Sequence, residues 1–169
     1  FQGKVVAVVG GGNAGLEAVI DLLAYAPKVY LLEHSYKLKG DPVTQEKIKH
    51  DPRVTIILQA KTLEILGDKL VAGIRYEDRT TGKINELKLD GVFIEIGSVP
   101  NIDFVKHLVE KNEFGEIVVD HKTQETSQPG IWAAGDATNV LYKQNNISAG
   151  DAVKAVLNIY DYLNKVKEL

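Results

Sequence analysis

The chain has 169 residues, long enough for one domain or for one domain plus a piece of another. Hydrophobic residues make up 44% and charged residues 25%, the balance of a globular protein, and a net charge of -3 offers no electrostatic footprint for nucleic acid or an acidic membrane surface. There is no cysteine, which excludes a disulfide, a thiolate nucleophile or a Cys-based metal site within these residues.

The first element is Val5 to Val9, a β-branched run around Ala7 with the texture of a strand buried on both faces. From Asn13 the spacing becomes helical, with Leu16, Ile20, Leu23 and Ala24 expected on the inner face and Pro27 ending the helix. "KVYLLE" is a second buried strand, completing a right-handed βαβ unit. "DPVTQEKIKH" is expected to be a short helix with Asp41 as N-cap and Pro42 in the first turn. "RVTIIL" follows as a third strand.

The texture then changes. "KTLEILGD", "KLVAGIRYEDR" and "KINELKLD" are separated by the turn signals Gly67-Asp68 and Thr81-Gly82, and predict an antiparallel three-stranded meander. "GVFIEIG" is another buried strand, closing at Gly97. "SVPNIDF" is a connector, "GEIVVD" and "GIWAAGD" are expected strands, and a long helix runs from about Ile147 to Lys167. The fold class is therefore α/β: a Rossmann-like unit carrying an antiparallel meander, followed by part of a second domain.

Gly10, Gly12 and Gly15 have the spacing G-x-G-x-x-G between the first strand and the first helix. In a dinucleotide site the first glycine permits the turn, the second admits a pyrophosphate against bare backbone, and the third lets helix and strand pack closely. The helix N-terminus offers free N–H groups to the phosphates. Glu33 ends the second strand 18 residues after Gly15, near the roughly 20 expected of the acid that holds the adenosine ribose. A carboxylate there opposes a 2′-phosphate, so NAD(H) is expected over NADP(H), and Glu33→Arg is expected to move preference toward NADPH. His34, Lys37 and Lys39 are a basic counter-signal; the two lysines read most simply as solvated loop charges. From residues alone, "GIWAAGD" with Gly135 and Asp136 is equally a pocket lip or an ordinary strand-ending turn.

The succession Gly-Gly-Gly-Asn-Ala-Gly-Leu-Glu-Ala, "YLLE", meander, "EIGSVPN", "GIWAAGDAT" and "YKQ" resembles the thioredoxin reductase family of flavoprotein disulfide reductases, the flavoprotein component of alkyl hydroperoxide reductase above all. The resemblance covers essentially the whole chain. It implies an NAD(H)-binding domain over residues 1–98 and the C-terminal segment of an FAD-binding domain over 99–169. It extends the NAD set to Gly10, Gly11, Gly12, Asn13, Ala14, Gly15, Glu17, Glu33 and Gly97. It also implies an FAD set of Gly135, Asp136, Tyr142, Lys143, Gln144 and Ala149, with Asp136 toward the flavin ribitol. The implied reaction passes hydride from NADH to FAD and on to a disulfide of a thioredoxin-like or peroxiredoxin-like protein.

The family's Cys-x-x-Cys lies before the glycine-loop strand. A chain that opens on Phe1 is expected to be the C-terminal half of such an enzyme, inactive by itself. A cytoplasmic homodimer, or self-association, is expected. Two alternatives remain open: a non-catalytic NAD-binding module, and a ferredoxin–NAD(P) reductase of the same fold. Asp151-Ala152 stands where the family has a second small glycine, and Ala137 where close relatives have Cys. The four histidines lack metal-ligand spacing, and Asp103, Glu110, Glu113 and Glu116 read as a solvated face.

Overall fold

A computed structural model describes residues 1–167, with side chains as far as Lys165. The chain divides into two compact units, Phe1–Gly97 and the residues from Ser98 onward. In the first unit, β1 (Val5–Val9), β2 (Lys28–Leu32), β3 (Val54–Ile57) and β7 (Gly91–Ile94) form a parallel sheet in the order β3-β2-β1-β7. Helices α1 (Asn13–Leu22) and α2 (Pro42–Lys49) belong to the same unit. Strands β4 (Ala60–Gly67), β5 (Val71–Asp78) and β6 (Lys83–Lys88) form the antiparallel meander.

Two cores follow from the period-2 alternation of β1. Val6 and Val8 point to the helix side and pack with Leu16, Val19, Val29, Leu31 and Ile48. Ala7 and Val9 point to the other side, toward Leu32, Ala60, Ile74, Tyr76 and Leu89. The meander therefore covers the second face of the parallel sheet, which is why β1 reads as a continuous apolar run. Each fully buried Val or Leu here is worth roughly 1.5–3 kcal/mol of transfer free energy.

Asp41 caps α2 as expected: its Oδ2 accepts from the Thr44 amide at 2.8 Å, and Pro42 occupies the first turn. The inner face of α1 differs from expectation. Gly15, Leu16, Val19 and Leu22 are buried, whereas Ile20 is exposed and the helix stops at Leu22. The apolar residues Leu16, Ala18, Val19, Ile20 and Leu22 spread over more than half of the helix circumference, opposite Glu17 and Asp21, so the 3.6-residue period fits more than one inner face. Among the described residues no helix is long and apolar enough to cross a membrane.

In the second unit, Ile102, Val109, Ile117 and Val119 make a small core with Val105, Ile131, Ala133 and Ala137. The expected strands "GEIVVD" and "GIWAAGD" are not strands. They make only isolated bridges: Ile117 with Lys111 and Thr138, Val119 with Thr126, and Trp132 with Glu125. Tight turns interrupt every ladder after one pair. Asn112 to Gly115, Asp120 to Gln124 and Gln128 to Ile131 are all closed by backbone hydrogen bonds. A single turn of 3-10 helix covers Gly135–Ala137, and α3 covers Asn145–Lys167. Trp132 ties the loops to α3, donating from Nε1 to Asn158 Oδ1 at 2.8 Å and meeting Tyr162 edge-on at 5.2 Å.

Candidate functional site

The first unit holds a cleft of about 630 Å³, within the roughly 300–1,000 Å³ of small-molecule sites. It lies where β1, β2 and β7 end, lined by Val9 to Ala14, Leu32 to Ser35 and Glu95 to Gly97. Open α/β sheets place ligands beyond the carboxyl ends of their strands. Lys39, Ala60, Lys61 and Thr62 complete the wall.

The glycines divide their work. Gly10 has φ +118°, and a Cβ there would overlap the Glu95 carbonyl. A Cβ on Gly15 would overlap the Gly10 carbonyl, so this glycine sets the approach of α1 to the loop. Gly12 differs: a Cβ there would meet nothing within 4 Å and would stand in open space. Gly12 is also the N-cap of α1 and provides no side-chain cap. The first-turn N–H groups thus lack a side-chain acceptor, as an anion-binding helix start requires.

Glu33 is only 7% exposed. Its Oε2 accepts from the Gly11 amide at 2.6 Å and its Oε1 from the Ser35 amide at 2.7 Å. Burial works against its charge, but donation from Ser35 and Gly11, together with the nearby Lys39, outweighs burial and holds the carboxyl below its ordinary range. The acid therefore staples the glycine loop to the end of β2. The loop after β2 closes the same knot from above, where the Lys39 and Gly40 amides donate to the Gly11 carbonyl at 2.8 and 3.1 Å. Asn13 Oδ1 accepts from the Asp41 amide at 2.7 Å.

Of the residues expected to hold NAD(H), Gly10, Gly11, Gly12, Asn13, Ala14, Glu33 and Gly97 line this cleft together. Gly15 acts through packing, and Glu17 lies on the exposed side of α1, outside the lining. Sequence reasoning missed Lys61 and Thr62, which arrive on β4 with no local motif. It also set Lys39 aside as a loop charge.

In the second unit, buried Gly135 and exposed Asp136 sit in the 3-10 turn. Ser148 of α3 donates to Asp136 Oδ1 at 3.3 Å. Tyr142, Gln144 and Ala149 are exposed around the start of α3. Lys143 is occupied within its own unit, by the carbonyls of Asp136 and Thr138 and by Glu116. Glu116 is thus no part of a solvated face: its side chain is 18% exposed and ion-paired at 2.7 Å. Lys143, then Asn112, hydrogen-bond its carboxyl and lower its pKa.

A family model described as pyridine nucleotide-disulphide oxidoreductase matches residues 2–155. The chain belongs to that family. Among relatives of this pyridine nucleotide-disulphide oxidoreductase chain, the NADH dehydrogenase of Ferdinandcohnia aciditolerans is 50% identical over 163 residues, 96% of this chain and 31% of that protein. The F subunit of alkyl hydroperoxide reductase from Escherichia coli is 46% identical over 168 residues, 99% of this chain and 32% of that protein. The crystal structure of T. acidophilum thioredoxin reductase superposes with TM-score 0.82 at 40% identity, over 95% of this chain and 53% of that one. The Lactococcus lactis thioredoxin reductase superposes with TM-score 0.86 at 27% identity, over 98% and 55%. The chain spans about a third of the length of the curated relatives it matches.

Proposed function

We propose that residues 1–98 bind NADH and that residues 99–169 contribute the flavin end of an FAD site in a longer flavoprotein disulfide oxidoreductase. The observation that carries the first half is the cleft at the ends of β1, β2 and β7, where an uncapped helix start and bare Gly12 face open space beside a buried acid. The pyrophosphate lies against Gly10 to Ala14, the adenosine ribose beside Glu33 to Ser35, and the nicotinamide toward Glu95 to Gly97. Glu33 keeps the loop in the shape that presents these N–H groups, and its ionised carboxylate disfavours a 2′-phosphate.

For the second half, Gly135, Asp136, Tyr142, Gln144 and Ala149 face the flavin, with Asp136 as the hydroxyl acceptor on the ribitol. When bound, the two cofactors supply hydride transfer and onward electron transfer, chemistry that no side chain of this sequence provides. The chain's own part is to bind and orient. The acceptor in the longer protein is a disulfide of a thioredoxin-like or peroxiredoxin-like partner. This follows the alkyl hydroperoxide reductase relative from Escherichia coli and the thioredoxin reductase structures.

A second reading is favoured by the relatives named NADH dehydrogenase, at 50% and 48% identity: NADH binds identically, and electrons leave to an acceptor other than a disulfide. Calorimetric titration of the chain with NADH and NADPH tests the shared step. NADH is expected to bind at least tenfold more tightly, about 1.4 kcal/mol. Equal affinities, or tighter NADPH, would mean that Lys39 and His34 outweigh Glu33.

A further inference from the structure

Lys143 has more partners within its own unit than any cofactor ligand needs. An ammonium carries three hydrogens. Nζ lies 3.0 Å from the Asp136 carbonyl, 2.7 Å from the Thr138 carbonyl and 2.7 Å from Glu116 Oε1. All three hydrogens are thereby used. Glu116 is pinned in turn: its Oε2 accepts from Asn112 Nδ2 at 2.6 Å, while Asn112 Oδ1 accepts from the Glu116 amide at 2.9 Å and the Phe114 amide at 3.0 Å.

The other end of the knot is equally determined. Thr138 is fully buried, and both its amide and its hydroxyl donate to the Gly135 carbonyl, at 2.9 and 2.8 Å. The Asp136 side chain receives Ser148 Oγ. The backbone of Asp136 is therefore held by Lys143, while its carboxylate stays exposed.

We infer that Glu116 and Lys143 are positioning residues: two hydrogen bonds from Lys143, itself anchored by its ion pair with Glu116, fix the Gly135–Thr138 turn that presents the Asp136 carboxylate, and Lys143 itself makes no flavin contact. This rests on the reading of Asp136 as a flavin ligand. The structural part does not. The lowered Glu116 carboxyl agrees with the geometry, since an ionised Glu116 is the better acceptor for Lys143 and Asn112.

The test compares wild type, Lys143→Met and Glu116→Gln by NMR, with three readouts: the carboxyl titration of Glu116, hydrogen exchange at the Thr138 amide, and the shift of the Asp136 amide on adding FAD. In Lys143→Met, Glu116 should titrate closer to an ordinary glutamate, Thr138 should exchange about tenfold faster or more, and the FAD-induced shift should shrink. Glu116→Gln, which preserves volume and leaves both carbonyl bonds to Lys143, should move exchange in the same direction by less. Unchanged Glu116 titration and Thr138 exchange in Lys143→Met would overturn the inference. So would loss of the FAD shift with the turn still protected, because that pattern marks a direct ligand. If the Asp136 amide of wild type stays unshifted even in a large excess of FAD, enough to reveal the weak binding expected of one end of the site, while the titration and exchange behave as expected, the positioning role stands and the flavin reading falls.

Discussion

Replacing Glu33 by Gln should destabilise the first unit before it changes any nucleotide preference. The carboxylate accepts two backbone N–H groups, from Gly11 at 2.6 Å and from Ser35 at 2.7 Å, in a setting that is 7% exposed. Glutamine offers one carbonyl oxygen and one NH2. If the oxygen keeps the buried Gly11 amide, the NH2 faces the Ser35 amide, donor against donor. One charge-assisted bond becomes neutral and the other is lost. Hydrogen bonds to charged groups are worth about 1.5–3 kcal/mol and neutral ones about 0.5–1.5, so the change should cost about 2–4 kcal/mol. That is a large share of the roughly 5–15 kcal/mol that holds a domain folded.

The pH dependence gives a second check. The Glu33 carboxyl is lowered from 4.5, so its contribution is fully present above that pH and is lost as pH falls through the folded-state value. Wild type should therefore lose more stability on acidification than Glu33→Gln. Urea unfolding at neutral pH and at several acidic points measures both. Equal stabilities across this series would refute the staple and return Glu33 to a purely ligand-facing role. Glu33→Arg, the substitution expected to favour NADPH, removes the same acceptor, so its nucleotide preference is interpretable only beside its unfolding curve.

Two further outcomes are expected. Gly15→Ala should lower both stability and NADH affinity, because its Cβ meets the Gly10 carbonyl and overpacking costs about 1–3 kcal/mol, whereas Gly12→Ala should fold normally and lose NADH affinity alone; calorimetry and thermal melting separate the two, and a Gly15→Ala protein with wild-type binding would contradict the packing role. The 169-residue polypeptide should self-associate through α3, where Val153, Val156, Leu157, Tyr160 and Leu163 are each more than half exposed, and should not retain stoichiometric FAD on purification; sedimentation showing a monomer that Leu157→Glu leaves unchanged would contradict the first point, and a yellow preparation the second.

The first unit was legible because its signals are local. The β-branched run of β1, the Asp41-Pro42 start of α2 and the turn dipeptides of the meander each determine their own few residues. The inner face of α1 was not legible, since apolar side chains at Ala18, Val19, Ile20 and Leu22 satisfy more than one helical face. In the second unit, "GEIVVD" alternates like a strand and "GIWAAGD" ends like one. A ladder needs consecutive partners, though, and the turns at Asn112, Asp120 and Gln128 leave only single bridges.

The two candidate sites share a design that no motif announces. Each has a charged residue adjoining a glycine turn, and each charge is used first on backbone groups of the protein. Glu33 accepts N–H groups of Gly11 and Ser35, and Lys143 donates to carbonyls of Asp136 and Thr138. Bare loops of this kind have little side-chain packing to hold them, so an ionic hydrogen bond, buried at Glu33 and partly exposed at Lys143, supplies the rigidity that the glycines remove. The partners lie as far apart as 22 residues for Glu33 and 27 for Lys143 with Glu116, beyond any spacing rule. It follows that loss of cofactor binding on mutating either charge does not by itself identify a ligand. Amide protection at Gly11 for Glu33, and at Thr138 for Lys143, decides it: a direct ligand leaves the turn protected when removed, and a staple does not.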